Sequence, residues 1–444
     1  MDNIRCFALR TAHTLRHWLR SRWTSPGRLA LGALAAAAVL GMDTHSSMAY
    51  QAFTFLLAAV LISLVAARGF RPRLEAVRAL PRFGTAGEPI PYRVRVRNLG
   101  AAVLRDISLA ERLPDPAPTY KEFRLADAPA GRLHWLDRLA GWSRWRRFVE
   151  RRPAGGSEGA VLPDLPPGGS AEVSLQLLPP RRGVIRLEAV SASRPDPLGL
   201  ATAERLVATR ASVIVLPRRY PVSRLSLPGG RKYQQGGVAL ASSVGESMEF
   251  STLRDYKPGD PPRRIHWKSF ARTGRLIVKE NHDEYFVRHA LVLDTFTGPG
   301  ASEAVFEEAV SVTASFACTV LTQESLLDLL FVGAEAYHFT AGRGLGGAGR
   351  MLEILAAVQP CNDKPFEELS RSVAMRYRLV SGCILVLVAW DDARRALTRQ
   401  LRALGVPLQT FLVRDPASGS ALPGSGEGVR VLETGRIAEG LANI

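Results

Sequence analysis

Residues 48–67 read MAYQAFTFLLAAVLISLVAA, a run of 20 residues without a charged side chain. As a helix rising about 1.5 Å per residue, this run would be about 30 Å long, which matches the hydrocarbon core of a bilayer. A shorter apolar run, LALGALAAAAVLGM, occupies residues 29–42, and Asp43 is the single formally charged residue between Leu29 and Ala67. We therefore predict a transmembrane helical hairpin over residues 29–67, with two spans and a short polar turn.

The arginines on either side of the hairpin predict its orientation. Residues 1–28 contain six arginines and one aspartate, and residues 68–82 contain five arginines and one glutamate, whereas the turn has no Lys or Arg. Positive residues stay on the cytoplasmic side. We expect two spans in the plasma membrane, both termini in the cytoplasm and a basic cytoplasmic N-terminus over 1–28. The alternative, a long signal peptide cleaved near Ala49, leaves the second apolar run without a role.

The positive charge of the chain is concentrated rather than spread out. The 444 residues carry a formal net charge of +17. The two arginine-rich flanks and a third cluster at residues 132–152 together hold +14 of it. A nucleic-acid-binding face would need this charge along one surface of a folded domain, so we predict no nucleic-acid partner. The four cysteines have no CxxC spacing, which argues against a zinc module or a disulfide scaffold.

The third cluster, RLHWLDRLAGWSRWRRFVERR, has the pattern of an amphipathic helix. Trp135, Leu139, Trp142, Trp145 and Val149 follow one another at intervals of four, three, three and four residues, with arginines between them. Helices of this composition suit the membrane interface, so these three tryptophans are candidates for contact with the lipid surface. The tryptophans would equally fit a helix that packs on its own domain, and the sequence leaves both interpretations open.

Two soluble domains with different periodicities are predicted. Residues 73–216 alternate between apolar and polar side chains, as in YRVRVR at 92–97, with Pro and Gly between the runs. This pattern predicts an antiparallel β-sandwich, with the helix near 132–152 as an insert. In residues 288–444, apolar strands such as CILVLVA at 383–389 alternate with helical segments, which predicts a Rossmann-like α/β domain.

Between these domains, residues 217–287 form a linker whose second half is dense in charge. Residues 245–284 contain eight Lys or Arg and seven Asp or Glu, together with large aromatic residues that include Tyr256, Trp267 and Phe270. Balanced charges beside aromatic side chains favour a network of ion pairs that holds an irregular segment in place.

Within this segment, the runs PGD at 258–260, RIHWK at 264–268 and LIVKE at 276–280 resemble the signature of the bacterial "domain of unknown function 58" family. The upstream runs Arg181-Arg182-Gly183 and RPDPLGL at 194–200, and the membrane spans before them, fit the same family, so the resemblance covers nearly the whole chain. The signature residues, to which we assign an interaction or structural role, are Glu249, Arg254, Tyr256, Gly259, Asp260, Arg264, His266, Trp267, Lys268, Arg272, Lys279 and Glu280.

The resemblance implies a bacterial inner-membrane protein with a von Willebrand factor A-like domain, here residues 288–444. Such proteins are typically encoded beside a MoxR-type AAA+ ATPase, often with a transglutaminase-like membrane protein. The ATPase as a partner follows from the resemblance alone. Because the chain shows many charges but no complete active site, we expect an adaptor or assembly factor without catalysis, anchored in the lipid bilayer.

The resemblance also bears on metal binding. A von Willebrand A domain can hold a divalent cation through Asp-x-Ser-x-Ser, with a Thr and an Asp from later loops. The matching segment here is DTFTG at 294–298, which lacks both serines. Asp294, Asp391 and, loosely, Thr340 are the remaining candidates for a degenerate site, and we expect a domain without a cofactor.

An enzyme is the alternative function. His266 lies in the run IHWK among acidic residues, and imidazole titrates near neutral pH. A hydrolase acting on envelope components would use His266 and these acids. The sequence places no serine or cysteine nucleophile convincingly beside it.

Overall fold

Three helices begin the chain. α1 (Asp2–Arg22) is followed after two residues by α2 (Ser25–Leu40), and α3 (Ser47–Arg68) is the longest of the three. The computed structural model describes residues 2–40, 47–113, 157–222, 250–260, 265–281, 288–297, 302–321, 326–342, 347–416, 423–424 and 426–442, together with Trp142, Trp145 and Pro262.

One of these helices, α3, is both long enough and apolar enough to span a membrane. Within α3, residues Met48–Arg68 have a mean hydropathy of 2.0 and are long enough to cross a bilayer. The apolar part of α2, Ser25–Val39, is shorter. The second predicted span is thus supported by length and composition, whereas the first is apolar but too short to meet the same criterion.

Two sheets follow the helices. The strand order of the first is β1-β3-β7-β5 and that of the second is β2-β9-β8-β4-β6, with antiparallel pairs except between β2 and β9. The strands are β1 (Leu74–Ala79), β2 (Phe83–Thr85), β3 (Ile90–Asn98), β4 (Ser108–Arg112), β5 (Ser157–Glu158), β6 (Ala160–Val161), β7 (Ser170–Leu177), β8 (Gly183–Pro195) and β9 (Thr202–Leu216).

Both sheets bury their apolar side chains in one hydrophobic cluster. In β3, Tyr92, Val94 and Val96 are buried, while the arginines between them are exposed, as the alternation in the sequence predicts. Leu109 of β4 and Leu187 of β8 belong to the same cluster, so it joins side chains from the first sheet with side chains from the second.

A six-stranded sheet with the order β14-β13-β12-β15-β16-β17 lies in the C-terminal part. All its neighbouring strands are parallel except β13 and β14. Every residue of β15 is buried, as expected for a parallel strand covered on both faces. The strands are β12 (Arg288–Leu293), β13 (Leu326–Val332), β14 (Ala336–Ala341), β15 (Gly382–Leu387), β16 (Leu408–Arg414) and β17 (Val429–Glu433).

Helices connect these strands, and a separate hairpin precedes them. β10 (Phe250–Asp255) and β11 (Ile277–Asn281) form an antiparallel pair, with α4 (Trp267–Thr273) between them. The helices of the six-stranded part are α5 (Glu303–Leu321), α6 (Ala348–Ala357), α7 (Glu367–Ala374), α8 (Asp392–Ala403) and α9 (Ile437–Ala442).

The contacts within the chain divide it into two compact units. One comprises Met1–Tyr220, Thr297–Ala314 and Gly349–Pro360, and the other comprises Pro221–Phe296, Ser315–Ala348 and Cys361–Ile444. The beginning of α5 and nearly all of α6 therefore belong to the unit of the two N-terminal sheets.

Arg182, at the start of β8, explains why these helices belong to that unit. Its guanidinium donates to the carbonyl oxygens of Leu355 (3.0 Å) and Val358 (2.7 Å), at the C-terminal end of α6. It also pairs with Glu307 of α5, and the neighbouring Arg181 pairs with Glu303. Because the last carbonyl groups of a helix have no partners within the helix, a buried arginine is a strong cap for them.

The run at 194–200, which resembles a family element, and the neighbouring Ala201 contact Thr24, just before α2, and Ser63 of α3. Ser63 Oγ in α3 donates to the buried carboxylate of Asp196 at 2.7 Å, and the same carboxylate accepts from the backbone N–H of Ala201 at 2.7 Å. Thr24, between α1 and α2, donates through its N–H to the carbonyl oxygen of Leu200 at 3.0 Å. The start of α2 and the end of α3 thus meet the same loop.

A close approach at Gly27 makes this junction possible. A Cβ atom built on Gly27 would lie 1.9 Å from the carbonyl oxygen of Leu200, which is far inside van der Waals contact. Trp23, Val60 and Ala201 form a buried cluster beside it. Only a residue without a side chain fits between the helix and the loop here.

We predict that Gly27→Ala lowers the stability of this junction, because the backbone of the loop must move to admit the methyl group. Overpacking of this kind costs about 1–3 kcal/mol. The matched control is Gly32→Ala in the same helix, where a Cβ atom would meet nothing within 4 Å. Thermal unfolding of the full-length protein in detergent, followed by near-UV circular dichroism, should show a lower midpoint for Gly27→Ala alone. Equal midpoints for the two variants would contradict the close approach.

Candidate functional site

Asp294 lies at the carboxyl end of β12, in the middle of the parallel sheet. Its side chain is fully buried, with no exposed surface. One carboxylate oxygen accepts from the backbone N–H of Phe296 at 3.0 Å, and the other accepts from that of Val388 at 3.2 Å. Asp391, the second aspartate among the candidate ligands, is the N-cap of α8, which follows β15.

Arg394 of α8 joins the two aspartates. Its Nε donates to Asp294 Oδ2 at 2.6 Å and its Nη2 to Asp294 Oδ1 at 3.1 Å, while its Nη1 pairs with Asp391. Nη2 also donates to the carbonyl oxygen of Phe296 at 2.7 Å. The guanidinium carbon lies 4.7 Å from the ring centre of Phe366, and the residue is 5% exposed. We call Asp294, Asp391 and Arg394 the carboxylate–arginine cluster.

The cluster is charged despite its burial. Burial raises the pKa of Asp294, and the Arg394 guanidinium and two backbone N–H groups oppose this rise. Burial alone would lower the pKa of Arg394, but the Asp294 and Asp391 carboxylates outweigh it and raise that pKa. We assign Asp294 as a carboxylate and Arg394 as a guanidinium cation, because a bidentate contact with a guanidinium needs a carboxylate with two acceptor oxygens.

These residues do not fit a divalent cation. The oxygens of Asp294 that would bind a metal already accept hydrogen bonds from Arg394, whose positive charge occupies the place a cation would need. Phe296, at the first position where the family pattern has a serine, packs its ring 5.6 Å from that of Phe366. Within the described parts of the chain, no group of three or more His, Cys, Asp or Glu side chains is arranged for metal binding.

Thr340, the third candidate ligand, lies elsewhere. It pairs in register with Asp328, near the amino end of β13, and its hydroxyl donates to the Asp328 carboxylate at 2.7 Å. Arg288, the first residue of β12, donates to both oxygens of that carboxylate at 2.7 and 2.9 Å. Asp294 is six residues further along from Arg288, about 20 Å at 3.3 Å per residue. Thr340 therefore lies at the amino ends of β12 and β13, whereas Asp294 lies at the carboxyl end of β12.

A pocket of about 310 Å³ lies on the exposed side of α8. Arg395, Arg399 and Arg402 line it, at helical spacing on one face. The buried indole of Trp390 donates to Glu427 at 2.9 Å, and the backbone N–H of Gly424 donates to the same carboxylate at 2.8 Å. The N–H of Gly424, the Trp390 indole and the nearby arginines together hold the pKa of Glu427 below its usual value. We call this arginine-lined surface the α8 pocket.

In residues 245–284, the ion pair between Arg254 and Asp260 shapes the turn that follows β10. Arg254 donates to both oxygens of Asp260 at 2.7 Å each, and the backbone N–H of Lys257 donates to Asp260 at 2.8 Å. These hydrogen bonds, with Arg254 first among them, lower the pKa of Asp260 to about 2. Gly259 has φ 110°, a conformation that favours glycine. The turn after β10 is therefore specified by Arg254, Gly259 and Asp260 together.

His266 contacts a serine that the sequence did not single out. Its Nδ1 lies 2.6 Å from Ser269 Oγ, one helical turn further along α4. Trp267 is 59% exposed and lies edge-on to Phe270 at 6.0 Å. Of the other signature residues, Tyr256 is half-buried, Lys268 and Arg272 are exposed, Glu249 and Arg264 lie outside the described residues, and only the backbones of Lys279 and Glu280 are described.

The candidate membrane-surface tryptophans occupy different environments. Trp145 is 2% exposed and packs with Cys6 and Leu9 of α1. Trp142 is 47% exposed, and Trp135 lies outside the described residues. Of the two interpretations of these tryptophans, packing against the protein fits Trp145.

We predict that Arg394→Met destabilises the protein by about 3–5 kcal/mol, because the substitution leaves the Asp294 carboxylate buried without its counter-charge. The control is Arg399→Met, an exposed arginine of the same helix. The urea midpoint of the full-length protein in detergent measures both effects. The double variant Asp294→Asn with Arg394→Met should recover part of the loss, and a single variant as stable as the control would contradict the interpretation.

Comparison with known proteins matches the C-terminal part of the chain to one family. Residues 252–438 match the family described as "Protein of unknown function DUF58". An "Uncharacterized protein YeaD" of Bacillus subtilis (strain 168) is 29% identical over 209 residues, which are 46% of this chain. The chain spans 50% of the length of this curated relative.

Two similar solved structures each cover about a third of the chain. The CARDB domain of the PF1109 protein from Pyrococcus furiosus is 12% identical, with a TM-score of 0.18, over 32% of this chain and 93% of that domain. A beta-glucosidase from Listeria innocua is 10% identical, with a TM-score of 0.16, over 32% of this chain and 16% of the enzyme. Residues 252–438, less than half of the chain, are thus similar to the DUF58 family.

Proposed function

We propose that the protein is a membrane-anchored adaptor or assembly factor that binds partners and does not catalyse a reaction. The carboxylate–arginine cluster carries this proposal. In open α/β sheets, ligands bind at the carboxyl ends of the strands. Here that position is filled by the buried guanidinium of Arg394, which forms ion pairs with both Asp294 and Asp391.

We assign the finer architecture as part of the same proposal. The two N-terminal sheets, with their shared hydrophobic cluster, form a β-sandwich. The six-stranded sheet and its helices form a von Willebrand factor A-like domain, with the carboxylate–arginine cluster at the position of the usual metal site.

We further propose that α2 and α3 form a two-span hairpin in the bacterial inner membrane, with both termini in the cytoplasm. The arginines at both ends of the hairpin support this orientation. The loop at 194–200 also supports it, because Thr24 before α2 and Ser63 near the end of α3 contact that one loop. Both ends of the hairpin thus belong on the same side of the bilayer.

The α8 pocket is the surface we propose for the partner, a MoxR-type AAA+ ATPase, with a transglutaminase-like membrane protein as a second partner. Arg399 and Arg402 are exposed, and Glu427 already occupies the pocket as an internal carboxylate. An acidic surface of the ATPase would replace water around these arginines and would be selected by charge complementarity.

We predict that Arg399→Glu combined with Arg402→Glu reduces capture of the ATPase from solubilised membranes at least tenfold, because two attractive charges become repulsive. A tenfold loss corresponds to about 1.4 kcal/mol. Arg371→Glu, at an exposed arginine of α7, is the control for net charge and should capture as the unmodified protein does. Equal capture by the double variant, or no ATPase captured by the unmodified protein, would refute the proposal.

The contact between His266 and Ser269 favours one alternative, an envelope hydrolase. A histidine within hydrogen-bond distance of a serine can activate its hydroxyl as a nucleophile. The two functions differ in what this serine does.

A fluorophosphonate probe, which labels activated serines covalently, distinguishes the two functions. For an adaptor we expect no labelling of Ser269, and capture of the ATPase unchanged by His266→Gln and Ser269→Ala. Labelling of the unmodified protein that both variants abolish would establish the hydrolase instead.

A further inference from the structure

Helix α1 has an exposed apolar face. Phe7 is 72% exposed, Leu15 is 54% exposed and Trp18 is 47% exposed. These residues, with Thr11 and Thr14, recur at helical spacing and therefore share one side of the helix. Together with Arg10 they line an open groove of about 440 Å³. We call this side of α1 the Phe7–Trp18 face.

Other sides of α1 are covered by protein. Cys6 is 4% exposed and packs with Leu9 and Trp145, and the ring of His13 lies 6.0 Å from that of Trp145. Near the other end of the helix, Leu19 packs against the cluster that contains Trp23. The helix is thus fixed to the protein along one side, and the Phe7–Trp18 face is directed elsewhere.

The charge of α1 is complementary to an anionic surface. The helix contains five arginines and one acidic residue, Asp2. Arg10, Arg16, Arg20 and Arg22 are exposed. A basic helix with exposed Trp, Phe and Leu side chains is typical of segments that lie in the interface between headgroups and acyl chains.

The position of α1 in the chain indicates that the Phe7–Trp18 face contacts lipid. Only Trp23 and Thr24 separate α1 from α2, and the apolar α2 packs beside α3, the helix long enough to cross a bilayer. The C-terminal end of α1 is therefore held next to the membrane by the covalent chain. Phe7 lies 11 residues before Trp18, about 16 Å along a helix, so the whole face is close to this end.

We propose that α1 is an in-plane helix, whose Phe7–Trp18 face inserts among anionic phospholipids of the inner leaflet. This inference depends on the proposed membrane anchor. The arginines bind lipid phosphates, and the aromatic and aliphatic side chains enter the boundary with the acyl chains. The N-terminal segment would then hold the protein at one orientation to the membrane surface, in addition to the anchor.

Photocrosslinking in nanodiscs tests the proposal on the full-length protein. Benzoylphenylalanine replaces Phe7 or Trp18, and in a control protein it replaces Ala12, an exposed residue on another side of α1. The nanodiscs contain phosphatidylcholine alone or with phosphatidylglycerol. We expect lipid adducts at positions 7 and 18 at least several times more abundant than at position 12, and more abundant when phosphatidylglycerol is present.

A charge variant tests the preference for anionic lipid. Arg10→Gln combined with Arg22→Gln, two exposed arginines beside the Phe7–Trp18 face, should remove most of the increase that phosphatidylglycerol causes, because each arginine near an anionic surface contributes about fivefold in binding. Equal lipid adducts at positions 7 and 12, or adducts at position 7 to a protein in place of lipid, would overturn the proposal. Failure of the anchor itself is distinguishable, since the protein would then not be retained in nanodiscs.

Discussion

The buried pair between Asp294 and Arg394 is the interaction on which the C-terminal part of the structure depends. It ties the end of β12 to the start of α8, two segments that are 100 residues apart. A carboxylate without exposed surface is unfavourable unless it is paired and hydrogen-bonded, and here it has both kinds of partner. The same pair that stabilises the carboxyl end of β12 also fills the position where ligands bind in open α/β sheets.

Periodicity predicted the elements that depend on local pattern. The alternation in β3 and the apolar run in β15 are present where the sequence placed them, because each pattern reports directly which faces are buried. Strands β10, β11, β14 and β17 were not predicted, because each has only five or six residues and so short a run does not identify a strand by periodicity.

Contacts between residues that are far apart in the chain could not be predicted from the sequence. The role of Arg394 could not be inferred, since an arginine on a helix with several others looks like one more exposed charge. Thr340 was a candidate ligand on its residue type alone, and strand register places it beside Asp328 instead. His266 was recognised, but its partner Ser269 was missed, although a spacing of three residues on a helix was a signal for the contact.

Arg182 has a consequence for where this protein can be divided. The family match begins at residue 252, which suggests that the C-terminal region can be produced separately. Yet Arg182 caps α6, and both it and Arg181 pair with the first turns of α5, so a fragment without β8 would expose Glu303, Glu307 and two helix-terminal carbonyl groups to solvent. A C-terminal fragment that keeps these contacts must therefore include Arg181 and Arg182, well before the start of the family match.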